Sequence, residues 1–339
     1  MLEVSNTTAF PAACIPHLDA DGRDLLAVVI KGSFRIRPGS ADPTLADEQA
    51  PIVWADEFYG EPGVSSIRFE SDTCPPKPGG DVVLIGHAYP GRGEDRITEV
   101  TIGVGRLRKS VRVFGDRRWE KSLGRWKVSP PEPFDRIPLV YERAYGGRDE
   151  TDADPAKHAY EPRNPVGTGF VAAGSRERLE GLALPNLERP DNPVKGWKDR
   201  PEPAGFGFVG RDWMPRSGLA GTYDDQWQND RCPLLPADFD PRFFNSAPSG
   251  LVSPRPFAGG EQVRVTGAHR RGDLQFRLPQ HPLAVTAWIK GAARRATPAL
   301  DTVVIEPDEE RLLLIWRAAI PCSREFLHIR NVFIKEAQS

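Results

Sequence analysis

The residues best suited to chemistry are four aspartates in one aromatic-rich stretch, residues 201–249. Asp224 and Asp225 are adjacent, and Asp238 and Asp240 follow among phenylalanine and proline residues. Paired carboxylates beside aromatic rings are the arrangement that a glycoside hydrolase uses. The same four positions also suit the start of a helix and the corners of turns, where aspartate side chains accept backbone hydrogen bonds. We therefore interpret these aspartates as caps and turns rather than as a catalytic pair.

Other catalytic patterns are absent from the sequence. Neither Ser217 nor Ser246 has the strand–turn–helix surroundings of a GxSxG nucleophile. The glycine-rich turns lack the following Lys–Ser/Thr of a phosphate-binding loop. The sequence therefore predicts a protein that is not an enzyme.

Metal sites and disulfides are not predicted either. The six histidines show no HxH or HExxH spacing, and no two cysteines form a CxxC pair. We expect no bound metal, no other cofactor, and four reduced thiols, at Cys14, Cys74, Cys232 and Cys322.

Composition restricts the class of protein. The 339 residues include 34 prolines and 32 glycines, which favours short strands and ordered loops over long helices. The 45 basic and 47 acidic residues leave a net charge of −2, so neither nucleic acid nor an anionic membrane is an expected partner. The first residues lack the basic and apolar regions of a secretory signal, and no apolar run is long enough to span a membrane, so we expect neither feature and a cytoplasmic location.

Alternating apolar residues predict a mainly β fold. Two hairpins are indicated, at residues 8–36 and 302–320, with a meander at 97–119, a strand at 137–145 and a last strand within 326–336. We expect a single domain over residues 1–339, built from two packed antiparallel sheets in a sandwich-like arrangement. An irregular, partly helical insertion at about 147–255 lies over it, with a short helix predicted at 175–182.

The aromatic-rich stretch, residues 201–249, is the main candidate binding surface. Its central part, 222–231, fits a short helix capped by Thr222, with Tyr223 and Trp227 on one face. Tryptophan, tyrosine and arginine dominate the energetic centres of protein interfaces. The alternative is an irregular layer whose aromatic rings cap the β core. The candidate partner-binding residues are Trp213, Arg216, Tyr223, Trp227, Arg231, Phe243 and Phe244.

A basic cluster in the predicted meander is a second candidate surface. Cations on the solvated face of a sheet are also the ordinary outcome of strand alternation. The residues concerned are Arg106, Arg108, Arg112 and Arg117.

Seven motifs carry a resemblance to a bacterial family long catalogued as a domain of unknown function. They include GRLRKSVRVFGDRRW, RNPVGTGF, GFGFVGRDWMPRSGLAGTYDDQWQNDR and DTVVIEPDEERLLLIWRA, and together they extend over about residues 5–335. Members of that family occur in type VI secretion gene clusters and act as adaptors, or chaperones, that load toxic effectors onto the secretion spike. Where members often read AAP followed by an Asp–Gln pair, this chain has SAPSGL at 246–251.

The resemblance implies a cytoplasmic, non-catalytic protein that binds a secreted effector or its spike-tip domain. Two alternatives stay open. A carbohydrate-binding or glycoside-processing β protein would need a cleft with two carboxylates. A structural secretion component would instead present a long unpaired sheet edge.

Overall fold

The computed structural model describes residues 3–91, 93, 95–172, 179–322 and 326–337, and the chain is mainly β, as predicted. Most of the strands are short, and the longest ones coincide with the most apolar parts of the sequence. The first half of the helix predicted at 175–182 falls outside the described residues, and the second half is not helical.

The strands are numbered here in chain order. They are β1 (Glu3–Asn6), β2 (Ala12–Leu18), β3 (Asp24–Arg35), β4 (Thr44–Leu45), β5 (Glu57–Phe58), β6 (Ile67–Phe69), β7 (Gly80–Leu84), β8 (His87–Ala88), β9 (Ile97–Val104), β10 (Leu107–Phe114), β11 (Trp119–Ser122), β12 (Arg125–Val128), β13 (Ile137–Pro138), β14 (Tyr145–Gly146), β15 (Arg148–Asp149), β16 (Ala159–Tyr160), β17 (Thr168–Gly169), β18 (Leu187–Glu188), β19 (Val252–Ser253), β20 (Gln262–Thr266), β21 (Leu274–Arg277), β22 (Leu283–Ile289), β23 (Ala292–Ala296), β24 (Ala299–Glu306), β25 (Arg311–Pro321) and β26 (Ile329–Glu336).

In the described part of the chain, helical structure is confined to short segments. One α-helix, α1 (Asp225–Asp230), lies within the predicted 222–231 segment. Turns of 3₁₀-helix occur at Tyr141–Arg143, Pro155–Lys157, Arg216–Leu219, Pro241–Phe244 and Phe326–His328.

The largest sheet has seven strands in the order β19-β7-β24-β25-β3-β2, with β4 beside β3. Both hairpins predicted from alternation, β2–β3 and β24–β25, are present with antiparallel register. Residues 26–34 of β3 are buried, which explains the near-continuous apolar run of this strand. The pair β7–β24 is parallel, so this sheet is mixed rather than purely antiparallel.

Two further sheets have five and four strands, and the other described pairings are two-stranded. The predicted meander forms β9 and β10, at the centre of a five-stranded sheet ordered β18-β10-β9-β20-β21. The last strand, β26, lies in a four-stranded sheet ordered β1-β26-β22-β23, in which β1 and β26 are parallel. The three sheets share one hydrophobic core, to which each contributes buried residues such as Ile30, Ile102 and Val332.

The sandwich-like β fold is therefore confirmed, with three larger sheets where two were expected. The irregular character of 147–255 is also confirmed, because its described part contains only two-residue strands, short 3₁₀ turns and α1. Two of those strands attach it to the body: β18 pairs with β10, and β19 pairs with β7.

The strand predicted at 137–145 is wrong over most of its length. The chain instead forms β13, a 3₁₀ turn and β14. The buried side chain of Asn164 explains the break, since its amide donates to the carbonyl oxygens of Tyr141 and Tyr145 at 2.8 and 3.0 Å. These bonds take backbone acceptors that a regular strand would use for its ladder.

Candidate functional site

An open groove of about 700 Å³ lies on the face formed by the 201–252 segment, with Tyr141, Pro162 and Arg163 contributing from the preceding chain and Lys109 from β10. Its lining is mostly apolar, a composition typical of binding grooves. We call it the apolar groove. Its apolar lining includes Val209, Met214, Pro215, Leu219, Pro248 and Val252.

Arg216 holds the wall of the apolar groove together from beneath. Its guanidinium donates to the carbonyl oxygens of Val209 and Phe243 at 2.7 and 2.8 Å, and to the carboxylate of Glu70 at 2.6 Å. Arg216 is only 5% exposed and Glu70 is also 5% exposed. Three separate parts of the chain therefore meet at one buried cation.

Glu70 is the centre of a buried charge network. Besides Arg216, it lies 3.8 Å from the Lys77 ammonium and 3.3 Å from the Arg211 guanidinium. Burial opposes ionisation, yet the neighbouring charges of Lys77 and Arg216 hold the pKa of Glu70 below its ordinary value. This carboxylate is therefore charged at neutral pH.

The network continues from Lys77 to the far wall of the apolar groove. The Lys77 ammonium donates to Asp81 of β7 at 2.7 Å. Asp81 in turn accepts from the amide side chain of Asn245 at 2.9 Å and from the backbone N–H of Ser246 at 2.8 Å. Asn245 lines the apolar groove, so its position is fixed through Asp81 by the seven-stranded sheet.

A second group of buried charges lies next to the first. Lys31 of β3 pairs with Asp72 at 2.9 Å, and Arg317 of β25 pairs with Asp301 of β24. The backbone N–H of Lys77 donates to Asp301 at 3.2 Å, which joins the two groups. Buried ion pairs add little net stability over apolar packing, but removing one partner is strongly destabilising. We therefore expect the loss of any one charged residue of this network to disturb the groove walls.

Trp213 and Arg216, both predicted as partner-binding residues, are buried, and only Arg216 lines the apolar groove. Their role in binding stays a prediction. Trp213 is 4% exposed, and its indole packs edge-on against the ring of Tyr141 with 5.3 Å between centroids. Arg216 lies at the base of the apolar groove, but its guanidinium is used by Glu70 and two backbone carbonyls. Trp213 belongs to the hydrophobic core, whereas Arg216 is a buried cation beneath the groove wall.

Tyr223, Trp227 and Arg231 form a separate feature around α1. Tyr223 is 55% exposed and packs edge-on against the half-buried Trp227 at 4.7 Å. The Trp227 indole donates to the carbonyl oxygen of Leu234 at 2.8 Å. Arg231 donates to the carbonyl oxygens of Leu235 and Ala20. None of the three lines the apolar groove, so their role in binding stays a prediction.

Phe243 and Phe244 are half-buried and pack against Phe239, with centroids 5.7 and 5.5 Å from its ring. The guanidinium of Arg216 lies over the Phe243 ring at 5.3 Å. Neither ring lines the apolar groove. These contacts favour a packing role behind the groove wall.

Three of the four aspartates accept hydrogen bonds from nearby residues, and Asp225 lies in the first turn of α1. Asp224 caps α1 by accepting the backbone N–H of Trp227 at 2.8 Å, so the expected Thr222 cap is wrong. Thr222 instead donates to Asp238 at 2.8 Å, and Asp240 pairs with Arg242. The interpretation of these aspartates as caps and turns is confirmed for Asp224, Asp238 and Asp240.

The basic cluster is divided by the structure. Arg106, Arg108 and Arg112 are exposed along β10 and the turn before it. Arg117 is not part of that surface: it is 8% exposed, lies over the ring of Phe114 at 3.8 Å and pairs with Glu188 at 2.6 Å. Its inclusion was wrong because the alternation that exposes Arg108 and Arg112 continues past the end of β10 and places Arg117 on the same buried side as Val111 and Val113.

Arg108 lies in a smaller cleft of about 300 Å³ beside the apolar groove. Lys109 and Ser249 line both, so the two depressions are continuous. We call this second depression the basic cleft. Its lining residues are Arg108, Lys109, Ser110, Arg189, Pro190, Asp191, Ser249 and Gly250.

Sequence reasoning did not identify most residues of the apolar groove. Val209, Met214 and Pro248 lie in irregular chain, where no periodicity indicates which side chains face solvent. One signal was available: the SAPSGL sequence at 246–251 differs from the pattern expected for the resembled family. Ala247, Pro248 and Ser249 of that sequence line the apolar groove.

Metal-binding and membrane-spanning features do not occur in the part of the chain that the structure describes. No group of three or more histidine, cysteine, aspartate or glutamate residues there could hold a metal ion. Cys14, Cys74 and Cys232 are free thiols. Within the same ranges, no helix has the length and apolar character needed to cross a membrane.

Comparison with known proteins identifies a family. No curated protein and no solved structure matches this chain. A family model described as "Uncharacterized protein conserved in bacteria (DUF2169)" matches residues 21–317, which is most of the chain and includes both the apolar groove and the basic cleft. The protein therefore belongs to this bacterial family.

Proposed function

We propose that this protein is a non-catalytic adaptor that binds a type VI secretion effector, or its spike-tip domain, in the cytoplasm and loads it onto the secretion spike. The observation that carries the proposal is the apolar groove, an open depression of about 700 Å³. A groove of this size and lining is suited to apolar side chains of another molecule. The motif resemblance to type VI adaptors supplies the class of partner.

The way in which the groove is built supports recognition of a protein. Its walls are irregular loops, but Arg216, Asn245 and Val209 are fixed from below by the buried charge network and its hydrogen bonds. Walls that are ordered before binding reduce the entropy lost on association. Met214, at 43% exposure, presents a flexible apolar side chain at the surface of this face. Methionine adapts well to irregular partner surfaces.

The two alternative functions have less support. A glycoside-processing site would need two free carboxylates in a cleft, whereas Asp224, Asp238 and Asp240 are engaged as caps and in pairs. A self-assembling secretion component would need a long unpaired edge strand. The edge strand β2 has seven residues and contains Pro16, which lacks the N–H that a partner strand needs.

Affinity purification from the native bacterium tests the proposed function. The tagged protein, expressed at its natural level, should retain a stoichiometric protein partner, identified by mass spectrometry as a secreted toxin or a spike-tip protein. Deleting the gene should abolish secretion of that partner without abolishing its synthesis. Recovery of the protein alone, or unchanged secretion in the deletion strain, would contradict the proposal.

A further inference from the structure

The apolar groove and the basic cleft form one continuous surface. Lys109 and Ser249 belong to both, and the Lys109 ammonium donates to the carbonyl oxygen of Ser249 at 3.0 Å. A ligand that fills the apolar groove and extends past this pair of residues therefore enters the basic cleft. The combined depression is apolar at one end, the apolar groove, and charged at the other, the basic cleft.

Some of the cations lining this surface form ion pairs with carboxylates of the chain, and others do not. Arg163 pairs with Glu161, Arg242 with Asp240, and Arg216 with Glu70. At the boundary with the basic cleft, Arg189 pairs with both Asp191 and Glu202. These cations are neutralised by carboxylates of the chain itself.

Arg108 and Lys109 differ from those residues. Neither forms an ion pair with any residue of the described ranges. Lys109 is also removed from water by the chain around it, and this burial lowers its pKa to about 8. The carboxylate that acts on Lys109 from a distance, Glu202, is paired with Arg189, as is Asp191 of the basic cleft. An incoming anionic group would therefore stabilise the unpaired cations Arg108 and Lys109.

We infer that the partner contributes an extended segment in which apolar side chains are followed by acidic ones, the apolar side chains filling the groove and a carboxylate pairing with Arg108 and Lys109 in the basic cleft. This inference rests on the proposed function and specifies the chemistry of the partner. Complementary charge at the end of an apolar contact fixes the direction in which the segment lies. It also excludes segments with a basic residue at the same place, because like charges would meet in the cleft.

Peptide selection tests this inference directly and does not require an identified partner. The full-length protein is panned against a phage-displayed library of random short peptides, and selected peptides are synthesised and titrated by fluorescence polarisation. We expect the selected sequences to combine apolar residues with a neighbouring aspartate or glutamate. Selection of peptides without such acidic residues, failure to select any peptide, or tighter binding of a single-stranded oligonucleotide than of the peptides would overturn the inference.

Charge reversal locates the contact. Arg108→Glu should weaken binding of the selected peptides about tenfold or more, and added salt should weaken binding to the wild-type protein. Arg294→Glu is the matched control, since Arg294 is an exposed cation of β23 in the four-stranded sheet and lines neither depression. Equal affinity for Arg108→Glu and the wild-type protein would contradict the inference.

The two experiments can distinguish a failure of the acidic-segment inference from a failure of the proposed adaptor function. If the partner captured from the native bacterium binds Arg108→Glu and wild-type protein equally well, the adaptor function stands and the acidic segment is wrong. If acidic–apolar peptides bind in the predicted manner but no partner is captured from the bacterium, the recognition surface stands and the adaptor function is wrong.

Discussion

The guanidinium of Arg216 donates a hydrogen bond of 2.6 Å to the carboxylate of Glu70, a residue 146 positions earlier in the chain. Both side chains are almost fully buried. Through this contact the 3₁₀ turn Arg216–Leu219, which follows Met214 and Pro215, is attached to the chain after β6. The wall of the apolar groove therefore depends on a buried ion pair at its base.

Replacing Arg216 with alanine should strongly destabilise the protein. The variant leaves Glu70 buried near Lys77 without its main hydrogen-bond donor, and two backbone carbonyls without theirs. Loss of one member of a buried pair costs about 3–5 kcal/mol. We would measure the free energy of unfolding by urea denaturation, with Arg242→Ala as the control. Arg242 belongs to a solvent-exposed pair, so its loss should change the free energy of unfolding far less. Similar values for the two variants would contradict the role assigned to Arg216.

Trp213 should also act through stability rather than through direct contact with a partner. Trp213→Ala removes a buried indole that packs on Tyr141, and we expect a loss of about 3–5 kcal/mol in the free energy of unfolding. Tyr223→Ala is the comparison, because that ring is more than half exposed and its loss should cost about 1 kcal/mol or less. Calorimetry of both variants measures their melting temperatures. A Trp213→Ala protein with the melting temperature of the wild-type protein would contradict the core position of Trp213.

The difference in burial between Trp213 and Tyr223 shows which features of the structure the sequence could predict. Strands β3 and β25 were predictable, because apolar runs and turn residues are local signals. The burial of Trp213 was not, because it depends on Tyr141, which the sequence places in a different element. In irregular chain, exposure is decided by such distant contacts, and composition does not reveal them.

The apolar groove was unpredictable for the same reason. Its walls combine loop residues such as Val209 and Pro248 with Lys109 of β10. The basic surface was predicted in part: alternation in β10 placed Arg108 and Arg112 in solvent, whereas Arg117 lies beyond the end of that strand.

The cap of α1 provides a local test of the structure. Asp224→Ala removes the acceptor for the backbone N–H of Trp227 and should lower the free energy of unfolding by about 1 kcal/mol. Asp225→Ala, one residue further on, removes no cap and should cost about half of that or less through the helix dipole alone. Thr222→Ala should not reproduce the Asp224 effect on α1. Equal losses for Asp224→Ala and Asp225→Ala in urea denaturation would be evidence against the assigned cap.

Lys109 should make stability depend on pH in a specific direction. Burial lowers its pKa from 10.5 to about 8. Between these values the unfolded chain binds more protons than the folded one, so the contribution of Lys109 to the free energy of unfolding rises with pH. Below about pH 8 the folded protein bears the full cost of a poorly solvated ammonium group.

Lys109→Met removes that cost. After allowance for the lost hydrogen bond to Ser249 and for partial exposure, we expect the variant to be about 1 kcal/mol more stable than the wild-type protein at about pH 7. The advantage should shrink as the pH rises from about 8 towards 10.5. Urea denaturation of both proteins across this range is the measurement. A difference that is independent of pH would show that the ammonium group is well solvated.

The most direct test of the central claim is capture of the partner by proteins altered in the apolar groove. Met214→Asp places a charge in the groove at an exposed position, so the fold should be kept and the partner lost. Leu327→Asp is the matched control, because Leu327 is 91% exposed and lies in the 3₁₀ turn before β26, outside the groove. Affinity purification of both variants and the wild-type protein from the native bacterium, with melting temperatures measured in parallel, should recover a stoichiometric partner with the wild-type protein and Leu327→Asp only. Recovery of the same partner with a correctly folded Met214→Asp protein would contradict the claim that this groove is the binding site.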